Sequence, residues 1–139
     1  MTKIGKDAQT ALLEIQEAIY GLLSANLSSA GVFDFVPEDA PYPFVTIGEA
    51  TEIPRNTHDN FGREVTVTIH VWTKGMLGFS ATLSIANEIQ QLLDHQQNDF
   101  SLENHRVIAV RLDQVLTLRD PDPSIRHVPM RFRIVTEQL

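Results

Sequence analysis

One stretch of alternating residues decides the fold of this chain: REVTVTIHVWT, from Arg63 to Thr73. A period of two with β-branched residues is typical of a strand, because successive side chains of a strand point to opposite sides. One side carries the apolar residues Val65, Val67, Ile69 and Val71, and the other carries Thr66, Thr68, His70 and Trp72. The sequence therefore predicts a strand with two chemically different faces.

Patterns on either side of this strand predict the remaining elements. Apolar residues at three- and four-residue steps predict a helix over 7–26, capped by Asp7, and a second helix over 79–95 with Leu83, Ala86, Ile89 and Leu93 on its inner face. Further strands are expected over 32–36, 44–49, 106–118 and 126–137. The order α-β-β-β-α-β-β indicates an α+β fold, a mostly antiparallel sheet of about five strands with both helices packed on one face.

Two connections and one proline refine this picture. Residues 51–62 combine a proline, two asparagines and a glycine with little apolar content, which predicts a loop long enough to be functional or mobile. Residues 119–124 read RDPDPS, a turn signal between the last two strands. Pro129 lies inside the last strand and has no N–H to donate, so we expect an edge position or a bulge there.

Length and composition set the class of protein. The 139 residues are 42% apolar and 21% charged, which fits a single globular domain over 1–139. A net charge of -7 argues against tight binding to duplex DNA or to an anionic membrane surface. The absence of cysteine excludes disulfides and thiolate chemistry, and no apolar run is long enough to span a membrane. With no signal-peptide core at its start, the chain is expected to be soluble and intracellular.

The residues that could carry chemistry form no enzyme signature. None of the five histidines stands at the i, i+4 spacing of a helical metal pair, and no glycine-rich phosphate loop is present. His58 and Asp59 could contribute to a metal site, but a solvated loop is the favoured interpretation. The acids at 38–39 and at 120 and 122 lie in proline-bounded turns, where carboxylates usually accept backbone hydrogen bonds. We therefore expect no enzymatic activity, no cofactor and no metal.

The placement of charge is more informative. Through Asp99 the chain carries five cations and thirteen acids, whereas from Phe100 onward it carries six arginines and five acids. If the last two strands form a hairpin centred near Asp122, Asp113 falls opposite Arg131 and Arg111 falls opposite Arg133. Such pairs could form a solvated charge ladder worth a few tenths of a kcal/mol per pair. They could equally form a docking face, since arginine is enriched at protein interfaces.

Three stretches together resemble a known family. They are VFDFVPEDAPYPFVTIGE over 32–49, the strand ending His70-Val71-Trp72-Thr73 with the glycine-containing turn and helix that follow it, and LRDPD over 118–122 running into Arg126-His127 and Arg131-Phe132-Arg133. In this order they resemble small phage and prophage tail-completion proteins, which include tail terminators and tail-to-head joining proteins. The resemblance implies an α+β structural protein that forms a ring, commonly six-fold, and caps the finished tail tube.

The resemblance also implies partners and a location. The partners would be other copies of the chain, the tail tube protein and a head-completion or connector protein, with DNA passing through the ring without specific binding and with no membrane. The location would be the head-proximal end of the tail in the virion, and the bacterial cytoplasm during assembly. Candidate contact residues lie in the long loop and in the arginine-rich end of the chain: Pro54, Arg55, Asn56, His58, Asp59, Phe61, Arg119, Asp120, Asp122, Arg126, Arg131 and Arg133.

Two other functions fit the same residues. One is a head-side adaptor or stopper ring bound to the connector, which nothing in the sequence separates from a terminator. The other is a non-viral intracellular domain that binds a small ligand or dimerises, for which Trp72 and His70 on one strand face are the only hint.

Overall fold

The computed structural model describes residues 7–75 and 78–139. Within these ranges two α-helices and a short 3-10 helix accompany six strands: α1 (Leu12–Asn26), β1 (Gly31–Phe33), β2 (Phe44–Pro54), β3 (Gly62–Lys74), α2 (Ser80–Leu93), the 3-10 helix Gln97–Asp99, β4 (His105–Val115), β5 (Leu118–Arg119) and β6 (Ile125–Gln138). The sheet has the order β1-β2-β3-β6-β4, and β5 pairs with β6 beyond the end of β4. Only β1 and β2 pair in parallel among these strands. The predicted α+β class and the order of the main elements are confirmed, with the two-residue β5 as an additional strand.

The core lies on one face of the two central strands. The apolar side chains of β3 and β6 that point to this face are buried: Val65, Val67, Ile69, Val71, Val128, Met130, Phe132 and Ile134. Both helices cover them, α1 with Ile15, Ile19 and Leu23, and α2 with Ile85, Ala86, Ile89 and Leu93. Leu83, expected on the inner face of α2, is instead 40% exposed, because Thr82 and Ile85 occupy the inward positions.

The first helix begins later than predicted. Asp7 does not cap it, because residues 7–11 run as non-helical chain tied to the end of the sheet. Gln138 donates to the carbonyl of Asp7 at 2.5 Å, and Gln9 N donates to Gln138 Oε1 at 3.0 Å. Glu52 of β2 then accepts a hydrogen bond from Ala11 N at 2.7 Å. The carboxylate of Glu52 in β2 thus stabilises the N-terminus of α1, where unpaired N–H groups and the helix dipole favour negative charge.

The long loop predicted over 51–62 is shorter than expected. β2 continues to Pro54 and pairs with β3 through Thr51↔Thr66 to Pro54↔Arg63, so the connection is only residues 55–61. A register shift between Ile47 and Ala50 allows this continuation past Gly48 and Glu49. The turn-forming composition misled the prediction because Thr51 to Pro54 suit the end of a hairpin as well as a loop. The strand predicted over 32–36 likewise ends at Phe33.

Two irregularities in β4 change the predicted register of the last hairpin. The pairing of β4 with β6 shifts between Val107 and Ala109 and again between Leu112 and Gln114. Ile108 is therefore bulged outward and 48% exposed rather than buried. Arg111 does lie opposite Arg133, but Gln114 rather than Asp113 lies opposite Arg131. Each bulge adds one residue, which shifts every pair beyond it.

Pro129 lies in an interior strand. β6 pairs with β3 on one side and with β4 and β5 on the other, so the edge position predicted from this proline is wrong. The carbonyl of Pro129 accepts a hydrogen bond from Leu116 N at 3.1 Å, in the gap between β4 and β5. Since the N and the carbonyl of a strand residue point to the same side, the missing N–H falls at this interruption of the ladder.

Candidate interaction surfaces

The face of the sheet opposite the helices, here called the open face, carries the remaining side chains of β3 and β6. Thr66, Thr68, His70 and Trp72 are half-buried there, as the alternation predicted. From β6 the open face receives His127, Arg131 and Arg133. Both helices of the described chain lie on the other face, so the open face is available to a partner.

A row of rings crosses one end of the open face. The register Phe44↔Trp72↔His127 places three rings side by side on three strands. The rings of Trp72 and His127 stack with centroids 3.8 Å apart and planes 6° from parallel. Tyr42 extends the row at 4.9 Å from Phe44. Rings in such stacked and tilted arrangements attract one another beyond the area they bury, which fixes this end of the face as a rigid surface.

His127, the last ring of the row, also contacts His70 of β3. His70 Nδ1 lies 2.6 Å from His127 Nε2, and His70 Nε2 lies 3.5 Å from Glu49 Oε2. A hydrogen bond between two ring nitrogens needs one N–H and one lone pair, so one of these two nitrogens must be unprotonated. Gly48 makes room for this arrangement, since a Cβ there would lie 2.5 Å from His70 Nε2.

The environment of this histidine pair shifts two pKa values. Burial lowers the pKa of His127 below its usual 6.5, and the neighbouring His70 lowers it further. The pKa of Glu49 is lowered from 4.5 by a backbone hydrogen bond and then by His70. Both directions agree with a neutral His127 that accepts a hydrogen bond from His70 near neutral pH. This hydrogen bond joins β3 to β6 on the open face.

Arginines occupy the centre of the open face. Arg133 lies 3.3 Å from Asp113 and 3.8 Å from Glu64, and Glu64 also pairs with Arg55 at 3.5 Å. Within the described residues, no carboxylate forms an ion pair with Arg131 or Arg111. Exposed pairs of this kind contribute about 0–1 kcal/mol each. The charge ladder therefore exists in part, and it leaves positive charge unpaired on the surface.

The predicted contact residues fall into three separate places. Arg55, Asn56, His58, Asp59 and Phe61 lie in the connection between β2 and β3, at one end of the sheet, with Pro54 at its start. Arg119, Asp120, Asp122 and Arg126 lie at the other end, because Lys74 pairs with Ile125. The length of β3, Gly62 to Lys74, separates these ends by about 40 Å at 3.3 Å per residue. Arg131 and Arg133 lie between them, so the structure does not join these residues into one patch.

The connection 55–61 is held by its own hydrogen bonds. Arg55 N donates to Gly62 O at 2.8 Å and Thr57 N to Asn60 O at 2.9 Å. Asn60 Nδ2 also donates to the carbonyl of Gln138 at 3.0 Å, which ties the connection to β6. It therefore presents a shaped tip, with His58 and Asp59 exposed, rather than a segment that must order on contact.

Beneath the connection lies an open cavity of about 380 Å³. Its apolar walls come from Phe61, the bulged Ile108, and Val135 of β6, while Arg55 and Glu137 stand among its polar lining residues. At the bulge in β4, Ile108 and the neighbouring Ala109 both line this cavity, with Ala109 opposite Val135. Sequence patterning could not find it, because the bulge itself was not predicted.

At the opposite end, the acids of the turn bind backbone, as their proline-rich context indicated. Asp122 accepts hydrogen bonds from Ser124 N at 3.0 Å and Ser124 Oγ at 2.8 Å, and these bonds lower its pKa. Asp120 accepts from Asp122 N at 3.0 Å. Arg126 donates to Pro123 O at 2.6 Å and lies over the Phe79 ring at 5.5 Å. Arg119 is exposed.

No sequence pattern indicated one polar pair at the edge of the core, between α1 and β4. His105 is fully buried, and its Nδ1 lies 2.5 Å from Glu14 Oε2 of α1. Its Nε2 donates to the carbonyl of Gln9 at 3.2 Å, and Glu14 Oε1 accepts from Asn104 N at 2.6 Å. These bonds join α1 to the start of β4. Neither residue belongs to a recognisable motif.

In residues 7–75 and 78–139, no group of three or more histidine, aspartate or glutamate side chains converges on a point where a metal could bind. Neither helix of the described chain is long and apolar enough to cross a membrane.

Comparison with known proteins agrees with these surfaces being structural. The chain is 28% identical over 99 residues to the tail completion protein gp17 of Bacillus phage SPP1, covering 70% of this chain and 71% of the relative. It has the fold of a chain in the virion of a native gene transfer agent particle, with a TM-score of 0.79, 20% identity and coverage of 94% and 99% of the two chains. Residues 10–137 match the family described as tail completion protein gp17. The chain therefore belongs to this family and is a structural protein of the phage tail, located in the virion.

Proposed function

We propose that this protein closes into a six-subunit ring that caps the head-proximal end of the tail tube and joins the tail to the head. The observation that carries the proposal is the family match across residues 10–137, which spans every element of the fold. The protein would act through protein contacts alone, without catalysis.

The shape of the subunit supports a ring. One chain completes its own core, so it needs no partner to fold, and the open face with its arginines remains available. Contacts between two different patches of identical subunits close into a ring when the rotation between subunits permits. The family match and the fold likeness to a virion chain support assembly with other virion proteins.

The two ends of the sheet suit two different partners. The tip with His58 and Asp59 and the turn with Arg119 and Asp120 lie about 40 Å apart. We assign one end to the tail tube protein and the other to the connector protein of the head. DNA would pass through the ring without being bound by sequence, in keeping with the excess of acids in the chain.

The test is the solution mass together with the phenotype of particles that lack the protein. We expect light scattering over a concentration series to show a closed hexamer, either in solution or after addition of purified tail tubes. Without the protein, tubes should grow past their normal length and stay unattached to heads. Tubes of normal length beside heads that leak DNA would instead indicate an adaptor bound to the connector. A monomer that never binds tubes or connectors would refute the proposal.

Alanine variants at each end sharpen the test. His58→Ala with Asp59→Ala changes one end, and Arg119→Ala with Asp120→Ala changes the other. Each double variant should lose binding to one of the two partners while the ring remains intact. Loss of both partners from either variant would contradict the assignment of one partner to each end.

A further inference from the structure

Two surfaces of the subunit complement each other in shape and charge. The first is an exposed segment after β1, residues 34–39, here called the acidic segment. It presents three exposed acids, Asp34, Glu38 and Asp39, around the exposed apolar residues Phe35 and Val36. Phe35 is 84% exposed, the most exposed large apolar side chain in the described chain. A phenylalanine held in water among carboxylates is a feature typical of a contact residue.

The second surface is the cavity between the connection 55–61 and β4. Its walls of Phe61, Ile108 and Val135 are apolar, and its volume of about 380 Å³ exceeds that of a phenylalanine side chain. Arg133 lies one same-face step from Val135 along β6, about 7 Å away. Arg111 stands opposite Arg133 on β4.

The surroundings of the cavity keep an excess of positive charge. Arg55 lines the cavity, and four further arginines lie on the two strands beside it: Arg106 and Arg111 of β4, and Arg131 and Arg133 of β6. Glu64, Asp113 and Glu137 form ion pairs with Arg55, Arg106 and Arg133. Within the described residues, Arg111 and Arg131 have no such partner, so their two positive charges remain for a partner. The acidic segment offers that partner three carboxylates around an apolar ring.

The two surfaces lie at opposite edges of the same subunit. The acidic segment follows β1, at one edge of the order β1-β2-β3-β6-β4, and the cavity lies at β6 and β4 near the other edge. Four strand spacings across this order amount to about 19 Å. Because the acidic segment is fixed to β1 and Asp34 accepts a hydrogen bond from Gln16 at 2.6 Å, it cannot reach the cavity of its own chain.

We propose that the acidic segment of one copy docks into the cavity of the next copy, with Phe35 against Phe61, Ile108 and Val135, and with its carboxylates facing Arg111, Arg131 and Arg133. This proposal rests on the proposed ring and names the surfaces that build it. The contact is heterologous, since two different patches meet, and its repetition from copy to copy closes into a ring when the rotation between copies permits. Burial of the Phe35 side chain and ion pairing of Arg111 and Arg131 with the carboxylates provide the attraction.

Crosslinking tests the contact directly, since the chain has no cysteine of its own. A mixture of the single variants Phe35→Cys and Ile108→Cys should form a disulfide-linked heterodimer under mild oxidation at least tenfold faster than the matched control. The control is Leu83→Cys mixed with Ile108→Cys, because Leu83 is 40% exposed on α2, outside the acidic segment and the part of α1 that contacts it. Equal rates in the two mixtures would overturn the contact, and so would preferential linkage of Phe35→Cys to itself.

Mixing two variants tests which surface of one copy meets which surface of the next. Phe35→Asp removes the phenyl group that docks but leaves the cavity intact, whereas Ile108→Asp disrupts the cavity but leaves Phe35 in place. Each variant alone should lose the closed oligomer, and a mixture of the two should form a dimer through the one intact contact. Circular dichroism should show both variants folded, since both side chains are exposed. If both variants still form the wild-type oligomer, the proposed contact surfaces are wrong, but the proposed oligomeric ring is not contradicted. If the wild type forms no ring even on tail tubes, the proposed function itself fails.

Discussion

The two faces of the central strands obey the same alternation and yet have opposite roles. On the helix face, β6 contributes Val128, Met130, Phe132 and Ile134, all fully buried beneath α1 and α2. On the open face the same strand contributes His127, Arg131 and Arg133, which contact rings, acids and solvent. The core therefore depends on the helix face. In the proposed function the open face is the one that meets partners, so it could change without loss of the core.

The neighbouring residues Phe132 and Arg133 provide the sharpest test of this division, with the largest expected effect. Phe132→Ala should lower the free energy of unfolding by about 3–5 kcal/mol, because it leaves a cavity among fully buried side chains. Arg133→Ala should lower it by less than about 1 kcal/mol, since its ion pairs are exposed. Urea denaturation measures both, and equal losses would show that the two faces share the stabilising role.

The pair of Glu14 and His105 is an exception to the apolar character of the helix face. Glu14→Ala should destabilise the fold by about 3 kcal/mol, because it leaves His105 without its charged partner in the core. Glu17→Ala, on the exposed side of the same helix, is the matched control and should change stability by less than about 0.5 kcal/mol. Chemical denaturation of the two variants provides the comparison. A loss from Glu14→Ala no larger than that of the control would show that the pair is dispensable.

Gly48 links the register shift in β2 to the histidines of the open face. Gly48→Ala should cost about 1–3 kcal/mol, because its Cβ would overlap the His70 ring at 2.5 Å and press against Thr68 O at 3.0 Å. Gly21→Ala in α1 is the control, since nothing lies within 4 Å of its Cβ, and it should stabilise the helix by about 0.5–1 kcal/mol. NMR of the imidazole resonances should show His70 displaced only in Gly48→Ala. Unchanged resonances there would mean that the ring has room.

The smallest effect is a dependence on pH. Because the pKa of His127 lies below 6.5 in the folded protein, the folded state binds fewer protons than the unfolded state as the pH falls. The contribution of His127 to stability is therefore complete above about pH 6.5 and is lost as the pH falls through the lowered pKa. The melting temperature should fall between pH 7.5 and 5.5, and His127→Gln should reduce that fall.

His58→Gln is the control for this measurement, because His58 is exposed at the tip of the connection and its replacement should leave the pH profile unchanged. The same fall in melting temperature in His127→Gln and in the wild type would show that other groups cause it. The lowered pKa of Glu49 acts in the same direction at lower pH, below about 4.5.

Local patterns in the sequence were enough to predict the main elements and most of their inward-facing residues. Alternation in β3 and β6, and the three- and four-residue steps of α1, follow from the geometry of a single strand or helix, so Val65, Phe132 and Ile15 could be placed in the core without knowledge of the partners. The arginines at 131 and 133 could be placed on the opposite face for the same reason. The family resemblance then supplied the role that these patterns could not.

Which strands pair, and which side chains are neighbours in space, became clear from the tertiary structure. The parallel pairing of β1, the interior place of β6, the bulges that expose Ile108 and shift Asp113, and the contact of His70 with His127 each depend on strands distant in sequence. A bulge changes the register by one residue without leaving a local pattern, because what selects it is the fit between two strands and the layer that covers them. The cavity, the row of rings and the buried pair of Glu14 with His105 are consequences of that fit.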